Sequence, residues 1–319
     1  MDYSINQRRQ QGWTTNLKLA EFHSITYLNF GGTICDSKSL GLDLSALIFV
    51  ITAPNDFLLR THIRQTWAKK FIENTQQIRL YFAIGHSKYP AHQAMIEQEY
   101  SLYHDLIQWP FIESYRRLTI KSLAIARWAS IYCPLIQNIY KVDGDSLVNY
   151  ENFMKFISKI MQNKNRILDN YYPKLSVYGN IRASSRAIRF WSKFATSFED
   201  YPYVYYPKYT DANWMLSGLG NSLLTYATGV LDTMPALPWE DVFLTGLIPH
   251  RMIIKYRIKY EYHHFPGYND RIKAENINLC YFKKSIIFTH KFNNENLPRV
   301  WKRVQNFENF TNPECQIII

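Results

Sequence analysis

Cysteine is scarce in this chain: Cys35, Cys133, Cys280 and Cys315 are the only four in 319 residues, and no two form a CxxC pair. That spacing excludes a zinc ribbon and a thioredoxin-type redox motif. It leaves open free buried thiols or one or two disulfides in an oxidising compartment. Long hydrophobic runs are missing as well. The longest apolar stretch, Leu44 to Ala53, falls far short of the roughly 20 residues that span a bilayer. The opening residues, Met1-Asp2-Tyr3-Ser4 and then Gln7-Arg8-Arg9-Gln10-Gln11, hold no apolar signal region. Read literally, this describes a soluble, cytosolic chain; a first segment missing from the sequence would give the same picture. There is no internal repeat, low-complexity tract or linker, so one domain is expected rather than two. Zinc-finger spacing and a long basic arm are absent too. The formal charge is nonetheless +11, which favours polyanions in general. Its basic clusters, such as Lys69-Lys70 and Lys283-Lys284, are short and scattered, and they read as solvated surface rather than a nucleic-acid interface.

What is present is an ordinary globular balance, 47% hydrophobic and 20% charged, ample for a sizeable core. Residues 1–43 read as an irregular N-terminal extension, 44–305 as the domain and 306–319 as a tail. Ala46 to Thr52 is a continuous apolar, β-branched run, typical of a strand buried on both faces. Phe57 to Phe71 reads as a helix with Leu58, Ile63 and Trp67 inward, and Ile78 to Ile84 as a second strand. Ala91 to Tyr103 is a further helix. Thr119 to Tyr132 is the clearest one, with Ile120, Leu123, Ala124, Trp128 and Ile131 on one face; Cys133-Pro134 ends it. A strand over Ile139 to Val142 follows. Strands alternating with helices predict an α/β fold with a central, mostly parallel sheet flanked by helices. The second half is less regular. Leu175 to Ile181 and Asn213 to Ser217 read as strands, Tyr201 to Pro207 as a loop or edge strand, and Ile286 to His290 as a late strand.

Three features carry chemistry. Asp143 and Asp145 follow the Ile139 to Val142 strand. Ligands bind just outside such strand ends in open α/β sheets, and carboxylates suit Mg²⁺ or Mn²⁺ held together with a phosphate. Asp-Gly is also a common turn dipeptide, so a plain surface turn fits as well. Glu240-Asp241 sits between Trp239 and Val242-Phe243-Leu244, either as helix-start residues favoured by the helix dipole or as a catalytic pair. His290 ends the late strand, as a structural histidine or as a ligand. If the three meet in space, they supply metal ligands and a base for displacement at an anomeric carbon.

Six motifs, in order, resemble those of glycosyltransferase family 31, the β-1,3-galactosyltransferases and β-1,3-N-acetylglucosaminyltransferases. Arg60 to Trp67 resembles the family's R-x-x-I-R-x-T-W, and Glu99 to Lys121 its E-x-x-x-Y-x-D-I-I … Y-x-N-L-T-x-K. Lys141 to Asn149 resembles K-x-D-D-D-x-F-x-N. Tyr206-Pro207-Lys208-Tyr209 resembles Y-P-x-Y, Glu240-Asp241-Val242 resembles E-D-V, and Cys280 with Ile287 to Trp301 resembles the closing C … H … P … W. The likeness spans about residues 45–302. There are four departures. Gly144 stands where the family has its middle acid, and Thr210 to Met215 replaces a cysteine- and glycine-containing stretch. Arg117-Leu118-Thr119 lacks the family's sequon, and Gly246 comes one residue late.

The resemblance implies a single GT-A-like, nucleotide-sugar-binding domain. It implies transfer of galactose or N-acetylglucosamine from UDP-galactose or UDP-N-acetylglucosamine to an acceptor glycan on protein or lipid, with inversion and with Mn²⁺ or Mg²⁺. Asp145 is the expected direct metal ligand, with Asp143 toward the ribose or metal and His290 completing the metal site. Asp241 is the expected general base, helped by Glu240. Arg60, Arg64 and Lys121 offer positive charge to the donor, or else form structural ion pairs around the first strand. The family's usual setting is the lumenal side of the Golgi membrane, held by an N-terminal anchor that these residues do not contain. A degenerate member that binds nucleotide-sugar or glycan without catalysis is the competing expectation, motivated by Gly144 and the Thr210 to Met215 stretch.

Overall fold

Ala46–Ile51 (β1) has no polar side chain, and all six residues are buried. Such a strand needs apolar cover on both faces, which crossover helices supply in parallel sheets. The computed structural model describes residues 35–36, 38–165, 174–217, 237–256, 259–265, 279–284, 287–288 and 291–309. In it, β1 lies between two parallel neighbours, β2 (Ile78–His86) and β4 (Asn138–Asp143). β3 (Leu106–Ile112) continues the parallel half beyond β2. On the other side, β7 (Tyr209–Ser217) runs antiparallel to β4. β6 (Lys174–Arg182) is antiparallel to β7, and β8 (Lys259–His264) is parallel to β6. The order is β3-β2-β1-β4-β7-β6-β8. Parallel pairings dominate, as expected, and the antiparallel ones are confined to the two sides of β7.

The first crossover contains α1 (Phe57–Gln65) and α2 (Lys69–Glu73). α3 (Pro90–Tyr103) joins β2 to β3, and α4 (Leu118–Tyr132) leads back to β4. α5 (Tyr150–Asn165) follows β4. A short ribbon pairs β5 (Leu147–Val148) with β9 (Ile287–Phe288). Alternation along β1 divides the core. Ile48 and Val50 face Trp67, Phe71 and Phe153 on one side of the sheet. Leu47 and Phe49 face Trp109, Trp128 and Ala129 on the other. A third cluster, around Trp214, Leu216, Trp239 and Phe243, covers the second half.

Local departures from the sequence reading have physical causes. The helix expected over Phe57 to Phe71 breaks into α1 and α2, with Trp67 buried at the break and Leu58 exposed. In α4, Leu123, Ala124 and Trp128 are buried, but Ile131 is exposed and Ile120 only half-buried. Thr119, Lys121 and Ser122 are buried as well: Lys121 lines a cavity, and Thr119 Oγ1 donates to the Leu237 carbonyl at 2.5 Å. β3 escaped the periodicity reading: it is seven residues long and contains Pro110, which an edge position tolerates. Of the expected late strand, Ile287–Phe288 is a strand, and Ile286, Thr289 and His290 lie outside the described residues. The last helix, Asn296–Asn309, runs past residue 305.

Cys35 and Cys133 form a disulfide across a sequence separation of 98 residues. It ties the segment before β1 to the end of α4, where Leu135 N–H also donates to the Leu40 carbonyl at 2.9 Å. Closing a loop of that length in the unfolded chain is worth about 4–5 kcal/mol in the chain-entropy account. Cys280 is disulfide-bonded as well.

Candidate active site

Ile51 at the end of β1 pairs with Asp143 at the end of β4. Because the strands are parallel, both carboxyl ends open on the same side, where ligands bind in such sheets. A cavity of about 1140 Å³ lies there. Its wall includes the turn after β1, Asp143 to Asp145, Tyr209 and Asp211 of β7, and Trp239 to Val242.

The turn at the end of β4 is pressed against β1. Gly144 N–H donates to the Ile51 carbonyl at 2.9 Å. A Cβ at this position would stand 2.8 Å from that carbonyl oxygen and 3.0 Å from Thr52 Cγ2. The close approach therefore requires glycine and leaves no room for a third carboxylate. Asp143 and Asp145 are both half-buried and line the cavity. Asp143 N–H donates to Asn213 Oδ1 at 2.6 Å, and Asn213 Nδ2 donates to Ser146 Oγ at 3.0 Å, which fixes the turn from β7. The Asp145 carbonyl accepts from Phe292 N–H at 3.2 Å, and its side chain accepts from Lys291 N–H at 3.4 Å. The two residues that follow His290 thus reach Asp145.

Glu240 and Asp241 open α6 (Glu240–Val242), which passes into a π turn, Phe243–Leu247, and then α7 (Ile248–Tyr256). A π turn closes i→i+5 bonds in place of i→i+4 and so accommodates one more residue; such turns gather at functional sites. This accounts for the late Gly246. Its Cα lies against Tyr209, whose Cβ would be 2.9 Å from any Cβ placed there. Thr245 Oγ1 donates to the Asp241 carbonyl at 2.5 Å and accepts from Thr210 N–H at 2.9 Å. The acidic pair is in this way anchored to β7.

Lys141, two residues before the end of β4, joins the two acidic groups. It is 1% exposed, and its ammonium donates to Asp143 Oδ1 at 2.5 Å, Glu240 Oε1 at 2.6 Å and the Ala212 carbonyl at 3.2 Å. Burial alone would lower its pKa; the Asp143 and Glu240 charges and hydrogen bonds outweigh burial and carry it above the ordinary lysine value. Asp241 is raised well above the usual aspartate value, first by burial and then by the charges of Glu240 and Asp211. Asp211 is itself paired with Arg182 at 2.6 Å. The Tyr115 hydroxyl, on the same wall, is pushed up to about 12 by burial and by Glu240, Asp241 and Asp143. Asp143, Glu240, Asp241 and Asp211 are thus gathered around the cavity, with Lys141 and Arg182 as counter-charges.

Lys121 also lines the cavity. Its ammonium is buried, paired with Glu113 at 2.6 Å and bonded to the Thr52 carbonyl at 3.0 Å. Burial lowers its pKa, and Glu113 opposes that. Arg60 and Arg64 are placed elsewhere, which corrects their expected contact with a donor. Arg60 is fully buried and bonded to Glu99 at 2.6 Å and to the Ala53 and Pro54 carbonyls. Arg64 pairs with Glu99 and Asp105, each at 2.7 Å, beneath the rings of Phe82 and Tyr103. Neither lines the cavity. Their donors are spent on holding the loop after β1 to α3, the structural alternative that the sequence left open.

Of the expected site residues, the fold brings Asp143, Asp145, Glu240, Asp241 and Lys121 to one cavity. Sequence reasoning assigned no role to Lys141, Asp211, Arg182, Asn213 and Glu113. Lys141 was signalled as a charge inside the Ile139 to Val142 run, and Asp211 and Asn213 lie in the stretch that departs from the family pattern. Among the described residues, no group of three or more His, Cys, Asp and Glu is set to hold a metal. Two carboxylates facing a cavity nevertheless fit Mg²⁺ or Mn²⁺, which such sites commonly hold with one or two acids and a substrate phosphate.

A family model described as Galactosyltransferase matches residues 59–260. Over 257 residues the chain is 27% identical to Beta-1,3-galactosyltransferase 1 of Homo sapiens, covering 80% of this chain and 72% of that protein. Over 267 residues it is 26% identical to Beta-1,3-galactosyltransferase 5 of Homo sapiens, covering 82% and 78%. Among solved structures, a glycosyltransferase involved in the glycosylation of the major capsid of PBCV-1 aligns with a TM-score of 0.42 at 11% identity, covering 82% of this chain and 98% of that one.

Proposed function

The chain belongs to the galactosyltransferase family and is a glycosyltransferase, and we propose on that premise that it moves galactose or N-acetylglucosamine from a UDP-sugar to a glycan hydroxyl, forming a β-1,3 linkage with inversion. The mixed seven-stranded sheet with its flanking helices fits the GT-A-like architecture that the motifs led us to expect and supports the reading of a nucleotide-sugar-binding domain. The observation that carries the proposal is the meeting of Asp143 and Asp145 with Glu240 and Asp241 around one cavity, joined through Lys141.

Displacement at an anomeric carbon needs a base on the acceptor and charge relief on the leaving group. Asp241 receives the proton of the attacking hydroxyl. That oxygen bonds to the anomeric carbon, the bond from the anomeric carbon to the diphosphate breaks, and UDP departs with the electron pair. A raised pKa makes Asp241 a stronger base than an ordinary aspartate wherever it is ionised. Glu240 contributes through its charge, which raises Asp241, while its own carboxylate is held by Lys141. Asp145, with Asp143 beside it, would hold Mn²⁺ or Mg²⁺, which neutralises the departing diphosphate as a Lewis acid. Asn213 and the Gly144 contact keep those two carboxylates in place. The Cys35–Cys133 disulfide suits an oxidising, lumenal compartment and supports a Golgi setting.

The test is UDP release from UDP-galactose and UDP-N-acetylglucosamine with Mn²⁺, with and without glycan acceptors. Asp145→Ala and Asp241→Asn should each abolish transfer in a folded protein. Only Asp145→Ala should weaken Mn²⁺-dependent UDP binding. Full turnover by either variant would remove that residue from the mechanism, and UDP binding without turnover in the parent chain would favour a binding-only protein.

A further inference from the structure

Among the described residues, five cations line the cavity. Three are answered there by acids: Lys121 by Glu113, Lys141 by Asp143 and Glu240, and Arg182 by Asp211. Arg186 and Lys193 are the other two. Both are exposed, and neither forms an ion pair with a described residue. The cavity's other acids are engaged elsewhere. Asp56 accepts from Ala53 N–H at 2.9 Å, Asp145 belongs to the metal position and Asp241 to the attacking hydroxyl.

Both cations stand on the long loop between β6 and β7, and both are braced. Arg186 pairs with Tyr205 in a backbone bridge, and the Ser185 carbonyl accepts from Tyr206 N–H at 2.9 Å. The Lys193 carbonyl accepts from Arg116 Nη2 at 3.2 Å. Its ammonium lies over the rings of Tyr115 and Phe194, 5.0 and 4.8 Å from their centroids. Rings hold a cation in place without cancelling its charge. Phe194 packs edge-on against Trp239 at 5.5 Å, and Trp239 immediately precedes Glu240 and Asp241. Lys193 is thereby fixed on the side of the base. Beside Arg186, Ser185 bonds Tyr209, whose hydroxyl is raised to about 12 by burial and by the Asp241 and Asp211 charges. Both cations thus neighbour residues that feel Asp241.

We propose that the acceptor is an anionic glycan, whose carboxylate, sulfate or phosphate group is held by Arg186 and Lys193 while its hydroxyl faces Asp241. This deepens the transferase reading and rests on its assignment of Asp241 to the acceptor. The donor's diphosphate belongs with Asp143 and Asp145, where a metal answers it. A guanidinium fork and an ammonium both make charge-assisted hydrogen bonds to oxyanions, whereas a neutral acceptor gains nothing from their charge. Glu240 and Asp211 are already answered by Lys141 and Arg182, so they repel an incoming anion little.

The test is UDP release by the full chain, with Mn²⁺ and either UDP-sugar, on matched p-nitrophenyl glycosides: glucoside against glucuronide, and galactoside against its sulfate and phosphate monoesters. In at least one pair the acidic member should have a kcat/KM at least about tenfold higher, the worth of one charge-assisted hydrogen bond, and added salt should shrink the difference. The preferred pair identifies the anion. Arg186→Gln with Lys193→Gln should abolish the preference, and Lys193→Arg alone should keep it. No preference in the parent chain, or one that survives the double substitution, overturns the proposal. So does a double variant that loses Mn²⁺-dependent UDP binding but keeps its acceptor preference, which would give the two cations to the donor diphosphate. Equilibrium binding of the same glycosides reads the anion site without turnover. Absent UDP release, with acidic binding that depends on Arg186 and Lys193, would therefore sink the transferase reading and leave the anion site standing.

Discussion

Lys141→Met is the most informative single perturbation of this site. Methionine nearly matches the lysine stem in volume, so the substitution removes a charge and three hydrogen bonds while leaving little cavity behind. Removing one partner of a buried ion pair costs about 3–5 kcal/mol, because the opposite charge stays buried without compensation. Against a domain stability of about 5–15 kcal/mol, that is a large fraction. The pH dependence follows from the signs. Lys141 has a raised folded-state pKa, so its contribution is complete below the unfolded lysine value, about 10.4, and is lost only above it. From about pH 5 to about pH 8 the parent chain's lysine contribution is therefore flat. In the variant, Asp241, already raised by burial and by Glu240 and Asp211, loses the opposing charge of Lys141 and rises further. A raised carboxylate favours the folded state at low pH, so the deficit should shrink toward pH 5. Urea unfolding followed by tryptophan fluorescence measures it. Adding Glu240→Gln should restore much of the loss, since it removes one stranded charge. A deficit below about 1 kcal/mol, one that does not change with pH, or a double variant weaker than the single would refute the account of Lys141 as the counter-charge of this site.

Other outcomes follow from the same geometry. Asp211→Asn removes a charge that raises Asp241, so the acidic limb of the kcat/KM profile should move to lower pH; an unmoved limb would take Asp241 out of the titration. Arg64→Ala strands Glu99 and Asp105 and should cost about 3–5 kcal/mol in a thermal or urea melt, with the KM for UDP-sugar in the surviving folded protein unchanged. Gly144→Asp restores the family's middle carboxylate but drives a Cβ to 2.8 Å from the Ile51 carbonyl. It should lower stability by about 1–3 kcal/mol without strengthening Mn²⁺-dependent UDP binding, which calorimetry measures.

The sequence determined the parallel half of this protein, because burial on both faces forces β1 to be wholly apolar and leaves apolar runs in β2 and in Ile139 to Val142 of β4. That pattern cannot be hidden by any rearrangement of neighbours. It determined the acidic positions too, since Asp143, Asp145 and Glu240-Asp241 interrupt apolar stretches and fall in ordered motifs. Tertiary structure alone decided what each charge does. Arg60, Arg64 and Lys121 are equivalent as letters, yet two are consumed by Glu99 and Asp105 while the third lies on the cavity wall. Lys141 acquired its role only when Glu240, 99 residues on, folded against it. Gly144 looked like a deficit in the carboxylate set until the Ile51 carbonyl was found pressed against it. The Thr210 to Met215 stretch looked like divergence until Asp211 and Asn213 arrived at the site. Periodicity records which side chains leave water, and that is local. Which charge meets which depends on strand order and long-range packing, and no window of sequence contains it.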